Sequence, residues 1–193
     1  MSGYDCLIEA QLHGHRLDDT SWRRVDDCLR DMIERYPTFA TAWASRALLL
    51  MERYRLNPDT AAALAARKEA EELARHALQL EPTNVRAMTA VATVAFSKGD
   101  LEAARDIGLR AISANPYDPL SRSQYVLALI ASDYPDQALA QAAAALQLDP
   151  AHVSFYDSLE LLARVGRPEG PEPASGSVMA DVSLLPLPTG TPP

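Results

Sequence analysis

The sequence predicts an all-α chain in which antiparallel helix pairs stack into a solenoid and a C-terminal capping helix closes the stack. Three observations predict it. The stretch Thr83–Pro150 divides into two consecutive blocks of 34 residues, Thr83–Pro116 and Tyr117–Pro150. Both blocks carry small residues at matching places, Ala104, Gly108 and Ala111 in one and Ala138, Ala142 and Ala145 in the other. Offsets of 4 and 3 put each triplet on one face of a helix. Both blocks end in a polar residue and a proline, Asn115-Pro116 and Asp149-Pro150. A proline there stops the helix and fixes the turn into the next unit. The same marks run upstream, where Ala70, Ala74 and Ala77 lead to Glu81-Pro82, and Val25, Leu29 and Met32 lead to Tyr36-Pro37. A two-helix period of this length belongs to a repeat array, in which each unit touches its neighbours, and not to a fold around one core.

Residues 4–37 read as a degenerate first pair. One helix runs from Tyr4 to about Arg16, apolar at Leu7, Ile8, Ala10 and Leu12. The next is capped by Asp18-Asp19-Thr20-Ser21 and reaches Arg35, with Trp22, Val25, Leu29, Met32 and Ile33 towards the core. Residues 38–82 form the second pair. Its closing proline lies 45 residues after the previous one, which leaves an 11-residue insertion over the 34-residue repeat. That is about three helical turns, expected within Asn57–Ala66. The helix from Thr38 or Phe39 carries the stripe Ala40, Trp43, Ala47 and Leu50, widened by the run Leu48 to Met51, and Trp43 reads as a packing residue. Asn57-Pro58-Asp59-Thr60 breaks and recaps the chain. No Pro or Gly follows until Pro82, so one long helix of about 20 residues is expected from Thr60 to Leu80, its first turns (TAAALAA) running past the normal length.

Residues 83–116 form the third pair, with helices Asn84–Ser97 and Leu101–Ala114; Gly99 is the stop and Asp100 the cap between them. Residues 117–150 form the fourth, with helices Pro119–Ala131 and Pro135–Leu148. Residues 151–166 supply the capping helix, Val153–Val165, which covers the apolar side of the last repeat. Residues 167–193 hold 7 of the 14 prolines and read as a disordered tail. Val182–Pro188 is its one apolar patch, either incidental or a short docking motif.

The segments Ala42-Trp43-Ala44-Ser45-Arg46-Ala47, Lys98-Gly99-Asp100-Leu101-Glu102-Ala103-Ala104 and Asp133-Tyr134-Pro135-Asp136-Gln137-Ala138 carry a family likeness. Over about Tyr4 to Val165 the chain resembles the tetratricopeptide repeat (TPR) family. The resemblance implies a right-handed superhelix whose first helices, the A helices, line a concave surface with their positions 2, 5, 9 and 12. Those positions are Thr41, Ala44, Leu48 and Met51; Arg86, Thr89, Thr93 and Phe96; Leu120, Ser123, Leu127 and Ile130; and Ser154, Asp157, Leu161 and Arg164 in the capping helix. Thr89, Thr93, Phe96, Ser123, Leu127, Ile130 and Leu161 are the candidate protein-binding residues. They offer apolar surface and uncharged hydroxyls suited to an apolar peptide segment or partner helix. Family members that hold the acidic tails of chaperones use Lys, Asn and Arg in these helices. The matching places here are Ala44, Leu48, Ala90, Leu120 and Gln124, and none is basic.

Composition narrows the function further. A net charge of −8 with no Lys/Arg cluster argues against nucleic acid as a partner. No run of about 20 apolar residues exists for a membrane span, and the start lacks the regions of a signal peptide, so a cytoplasmic chain is expected. Cys6 and Cys28 read as two buried or half-buried thiols, or as a disulfide if the chain is exported. His13 and His15 fall on different helix faces, and no metal motif, nucleophile elbow or glycine-rich phosphate loop accompanies them. The chain is therefore expected to be no enzyme, with no cofactor, metal or small-molecule substrate. The reading is a protein–protein interaction module or scaffold. Its partner is another protein or a second copy of the chain, the latter through the TAAALAA surface. The alternative is a regulatory or structural arm of a larger protein, since the chain also looks like the C-terminal TPR regions of bacterial adenylate-cyclase-like and winged-helix transcriptional proteins.

Overall fold

The computed structural model describes residues 3–13, 18–150, 159 and 163. Through them run eight α-helices: α1 Gly3–His13, α2 Asp19–Arg35, α3 Ala40–Leu56, α4 Ala61–Leu80, α5 Val85–Ser97, α6 Leu101–Ala114, α7 Pro119–Ala131 and α8 Pro135–Leu148. Most of the starts are set by a side chain that satisfies an orphan N–H of the first turn. Asp18 accepts from the N–H groups of Thr20 and Ser21, Thr60 from Ala63, Asn84 from Ala87, Asp100 from Ala103 and Asp118 from Ser121. Helix α8 lacks such a cap and starts on Pro135, whose missing N–H is no loss in the first turn.

Consecutive helices lie antiparallel in pairs, and the pairs stack. The A helices α3, α5 and α7 touch one another in sequence, whereas α4 and α6, the second or B helices, make no contact across the stack. The A helices are therefore the continuous inner layer. The B helices stand apart on the outside, each resting on the A helix of its own pair and that of the next.

The small residues make this spacing possible. Ala70, Ala74 and Ala77 of α4, Ala104, Gly108 and Ala111 of α6, and Ala138, Ala142 and Ala145 of α8 are all buried. Ala77 meets Ala44 of α3 and Ala87 of α5 in one cluster, so three helices converge on methyl groups. At Gly108 a Cβ would stand 3.0 Å from Cδ2 of Tyr125, and glycine there lets α7 lay this ring on α6.

The first pair departs from expectation at its cysteines. Cys6 and Cys28 are joined as a disulfide with their Cα atoms 6.0 Å apart, within the usual span for such a bridge, so the expectation of separate thiols is corrected. The bridge and an Arg24–Glu9 ion pair of 2.9 Å tie α1 to α2. Ile8, one of the apolar residues of the first helix, is exposed. It stands two positions after the buried Cys6, which turns it to the other side of the helix.

The insertion is a lengthened hairpin. Helix α3 has 17 residues where α5 has 13, and α4 has 20 where α6 has 14. With one extra loop residue this accounts for the insertion. It is thus shared between both helices, over residues 53–66, and does not fall within Asn57–Ala66 alone. Ala63 and Ala66 are buried, and Ala66 joins the cluster of Leu50 and Met51. Within TAAALAA only Ala63 and Ala66 are thus covered, while the other five residues, Leu64 (45% exposed) among them, and Leu56 (73%) remain outside.

The turns within the third and fourth pairs each hold a left-handed residue. Gly99 has φ 77°, and the residue 34 positions on, Asp133, has φ 63°. Glycine takes that conformation without a Cβ clash, and an L residue is strained there, aspartate less than most. Asp133→Gly should therefore raise stability by roughly 0.5–1 kcal/mol, and Gly99→Ala should lower it by about 1 kcal/mol. Equal urea midpoints for Asp133→Gly and the parent would show that the turn is unstrained.

Leu159 and Ala163 are helical and buried against the α7–α8 cluster around Leu129 and Ala142. The rest of the expected capping helix, Leu161 with it, and the expected disordered tail 167–193 lie outside the described residues.

Candidate peptide-binding surfaces

The inner face is built from the A helices. Thr41 and Leu48 of α3, Arg86, Thr93 and Phe96 of α5, and Leu120, Gln124 and Leu127 of α7 are half-buried. Four expected members of this lining are corrected: Ala44 and Met51 of α3 are buried, at 0% and 4% exposed, and so are Thr89 and Ser123. Thr89 is 1% exposed and Ser123 2% exposed, so neither presents a free hydroxyl. The physical reason lies in the stacking of neighbouring A helices. Thr89 Oγ1 lies 2.6 Å from Oγ of Ser121 on α7 and also donates to the Val85 carbonyl oxygen. Ser123 Oγ donates to the Leu120 carbonyl oxygen of its own helix. Position 5 of these helices faces inside the stack.

The other expected residues divide. Thr93 stays on the inner face, its hydroxyl donating to the Thr89 carbonyl oxygen at 2.8 Å, which leaves acceptor lone pairs free. Phe96 packs its inner edge on Ala95, Ala104 and Ala128. Leu127 and Ile130 are partly buried against the cluster of α7 and α8 that also contains Leu159 and Ala163.

A cavity of about 210 Å³ opens at the N-terminal ends of α5 and α7, lined by Val85, Arg86, Thr89, Asn115, Asp118 and Leu120. Burial pulls the Arg86 guanidinium below its usual value, and the nearby Asp118 carboxylate acts in the opposite sense. An arginine stays charged at neutral pH. Asp118 is engaged as the cap of α7, where its Oδ2 accepts from both the N–H and the hydroxyl of Ser121. Sequence phasing places Arg86 in the lining, but only the fold shows that it is the fixed charge of a cavity.

A second depression, of about 230 Å³, lies on the outer surface. It fills the gap between α4 and α6 and is floored by α5. Sequence reading did not find it, because its walls come from three helices and its polar edge reads as solvated surface. Part of that edge is the i,i+4 pair Glu71–Arg75, which forms at 2.8 Å. Lys98 Nζ reaches the same Glu71 oxygen at 2.9 Å, and this bond holds the Glu71 carboxyl below the usual carboxylate range.

No group of three or more metal-ligating side chains occurs among the described residues, and no helix among them is long and apolar enough to cross a membrane.

No family model matches the chain. No curated protein matches it either. Solved structures do. A thermophilic TPR protein of Thermus thermophilus superposes with a TM-score of 0.65 at 18% identity, over 83% of this chain and 82% of that one. A double mutant of MamA superposes with a TM-score of 0.52 at 15% identity, over 83% of this chain and 85% of that one. The fold is thus a TPR-like α-solenoid of paired antiparallel helices.

Proposed function

We propose that the chain is a non-catalytic protein-interaction module that binds an extended or helical peptide segment along the inner A-helix face. The observation that carries this reading is the cavity at Arg86. It sets a half-buried cation, with no hydrogen bond or ion pair among the described residues, beside half-buried apolar surface from Leu120 and Val85. Peptides supply what both groups lack. Backbone carbonyls or an acidic side chain accept from the guanidinium, and aliphatic side chains cover Leu120, Phe96 and Leu48. Thr93 and Gln124 add uncharged groups that fix register. A module without a ligand would gain solubility from polar residues at Phe96 and Leu120.

Peptide-display selection on the full chain tests the reading. Selected peptides should lose about tenfold or more in affinity for the Arg86→Glu, Phe96→Glu double variant, since one desolvated charged contact alone contributes about 1.5–3 kcal/mol. Helical content and melting should stay near the parent. Peptides that bind both proteins equally would place the recognition surface elsewhere.

A further inference from the structure

We infer that the Cys6–Cys28 bridge is a redox-sensitive fastening for α1, and that reduction by a dithiol releases this helix while the other helices stay packed. Among the described elements α1 touches only α2 and α3. Its contact with α3 continues the series in which α3 touches α5 and α5 touches α7, so α1 is the first A helix of the inner layer. Few groups hold it there. Cys6 is fully buried, Leu7 and Ala10 are half-buried against the cluster of Val25, Leu29, Met32, Ala42 and Leu49, and Ile8 is exposed. The Arg24–Glu9 pair is exposed on its arginine side and adds little. A helix of 11 residues is marginal in isolation, so its order depends on docking. Helix α2 is tied to its neighbours independently of the bridge. Trp22 Nε1 donates to the Leu49 carbonyl oxygen at 3.3 Å, and Asp26 accepts from Arg46 at 2.8 Å.

The two sulfurs differ in access. Cys6 is 0% exposed, whereas Cys28 is half-buried. A dithiol therefore attacks at Cys28. Its thiolate bonds to Cys28 Sγ, the Cys6–Cys28 bond breaks, and Cys6 leaves with the electron pair and takes a proton. The second thiol of the reductant then displaces Cys28 from the mixed disulfide, and Cys28 is protonated in turn. Two electrons pass to the protein, and the reductant becomes a cyclic disulfide. The bridge spans a sequence separation of 22 residues. Cross-links over loops of this size shift an opening equilibrium by on the order of a hundredfold. Without the bridge, α1 rests on a small apolar contact and one exposed ion pair. The inner face is then one A helix shorter and begins at Thr41 and Leu48 of α3. The consequence for a ligand rests on the peptide-binding reading of that face, but the release itself does not.

The test is amide hydrogen exchange of the full chain, mapped by mass spectrometry, with dithiothreitol as the dithiol and no denaturant. On reduction, the amides of residues 7–13 in α1 should exchange about tenfold faster or more, while those of residues 25–33 in α2 stay within about twofold. Reoxidation should restore the protection. The double variant Cys6→Ser, Cys28→Ser should exchange like the reduced chain with or without dithiothreitol, which separates loss of the bond from any other effect of the reductant. Unchanged exchange of residues 7–13 after complete reduction would show that packing alone holds α1. Equal loss of protection in α2 would show that the bridge supports the whole pair, and a bridge reduced only in denaturant would show that Cys28 is closed to thiols. Each of these results overturns the proposal, and none depends on whether the inner face binds a peptide.

Discussion

Replacing Arg46 by methionine should destabilise the first two repeats by about 3–5 kcal/mol, near the lower end of that range. Arg46 lies inside α3, its side chain 7% exposed, and its Nε donates to Asp26 of α2 at 2.8 Å while Nη2 donates to Glu69 of α4 at 2.6 Å. One guanidinium thus joins three helices and two repeats. Methionine keeps the packing volume and removes the charge. Asp26 is then left buried with Arg30 alone, an i,i+4 partner that is itself more than half exposed and compensates in part. Leaving a buried carboxylate without its main partner is costly, whereas removing both partners is often close to neutral. The double variant Asp26→Leu, Arg46→Met should therefore recover most of the loss. Both tryptophans of the chain, Trp22 and Trp43, sit on α2 and α3. Urea unfolding followed by their fluorescence reads this region directly. A single variant with the parent's midpoint would show that the buried pair contributes nothing. The exposed Arg24–Glu9 pair should by contrast weaken with added salt, and the buried pair should resist it.

This network also marks where the sequence stops being informative. The register of 34 residues fixed α6, α7 and α8 to their ends, because each boundary has a local cause: Gly99 and Asp100, Pro119 after Asp118, Pro135. The small triplets were legible for the same reason, since helical periodicity alone puts them on one face. Arg46 carried no such signal. It sits in a run of alanines, its partners lie 20 and 23 residues away, and nothing in the spacing says that a charge points inward. The insertion shows a middle case. Its size was readable from the proline spacing. Its division between α3 and α4 was not, since Arg53-Tyr54-Arg55-Leu56 is as compatible with a loop as with one more helical turn. On the inner face, position 5 was placed by phase but not by burial. Thr89 has the composition of a groove residue, yet it is held inside because Ser121 of the next A helix lies against it. The outer cleft needs three helices in their final places before it exists. Cys6 and Cys28 left two readings open, and the approach of α1 to α2 decided between them.

Ala111→Phe should destabilise the array by about 3 kcal/mol, and Ala145→Phe by somewhat less. Both alanines are fully buried on the B helices. Their counterpart one register earlier, Ala77, meets Ala44 and Ala87 where three helices converge, and Ala145 lies in the cluster of Leu129, Leu159 and Ala163. Cores of this kind are close-packed, and inserting bulk forces off-rotamer side chains or backbone shifts that cost about 1–3 kcal/mol and at times more. A phenyl ring at a methyl-sized joint belongs at the upper end of that range. The rank of the two follows from position in the stack. Helix α6 lies between α5 and α7, so a displaced Ala111 joint disturbs the interface within its own pair and the one to the next. In an array whose stability sums neighbouring interfaces, a central fault disturbs more of them than one in the last described pair. Leu109→Phe on the same helix is the control. Its site is 49% exposed, and a change there should stay within about 0.5 kcal/mol. Thermal melts followed by circular dichroism at 222 nm separate the three variants. If Ala111→Phe and Ala145→Phe both melt with the control, the shared alanine face is not where these helices meet.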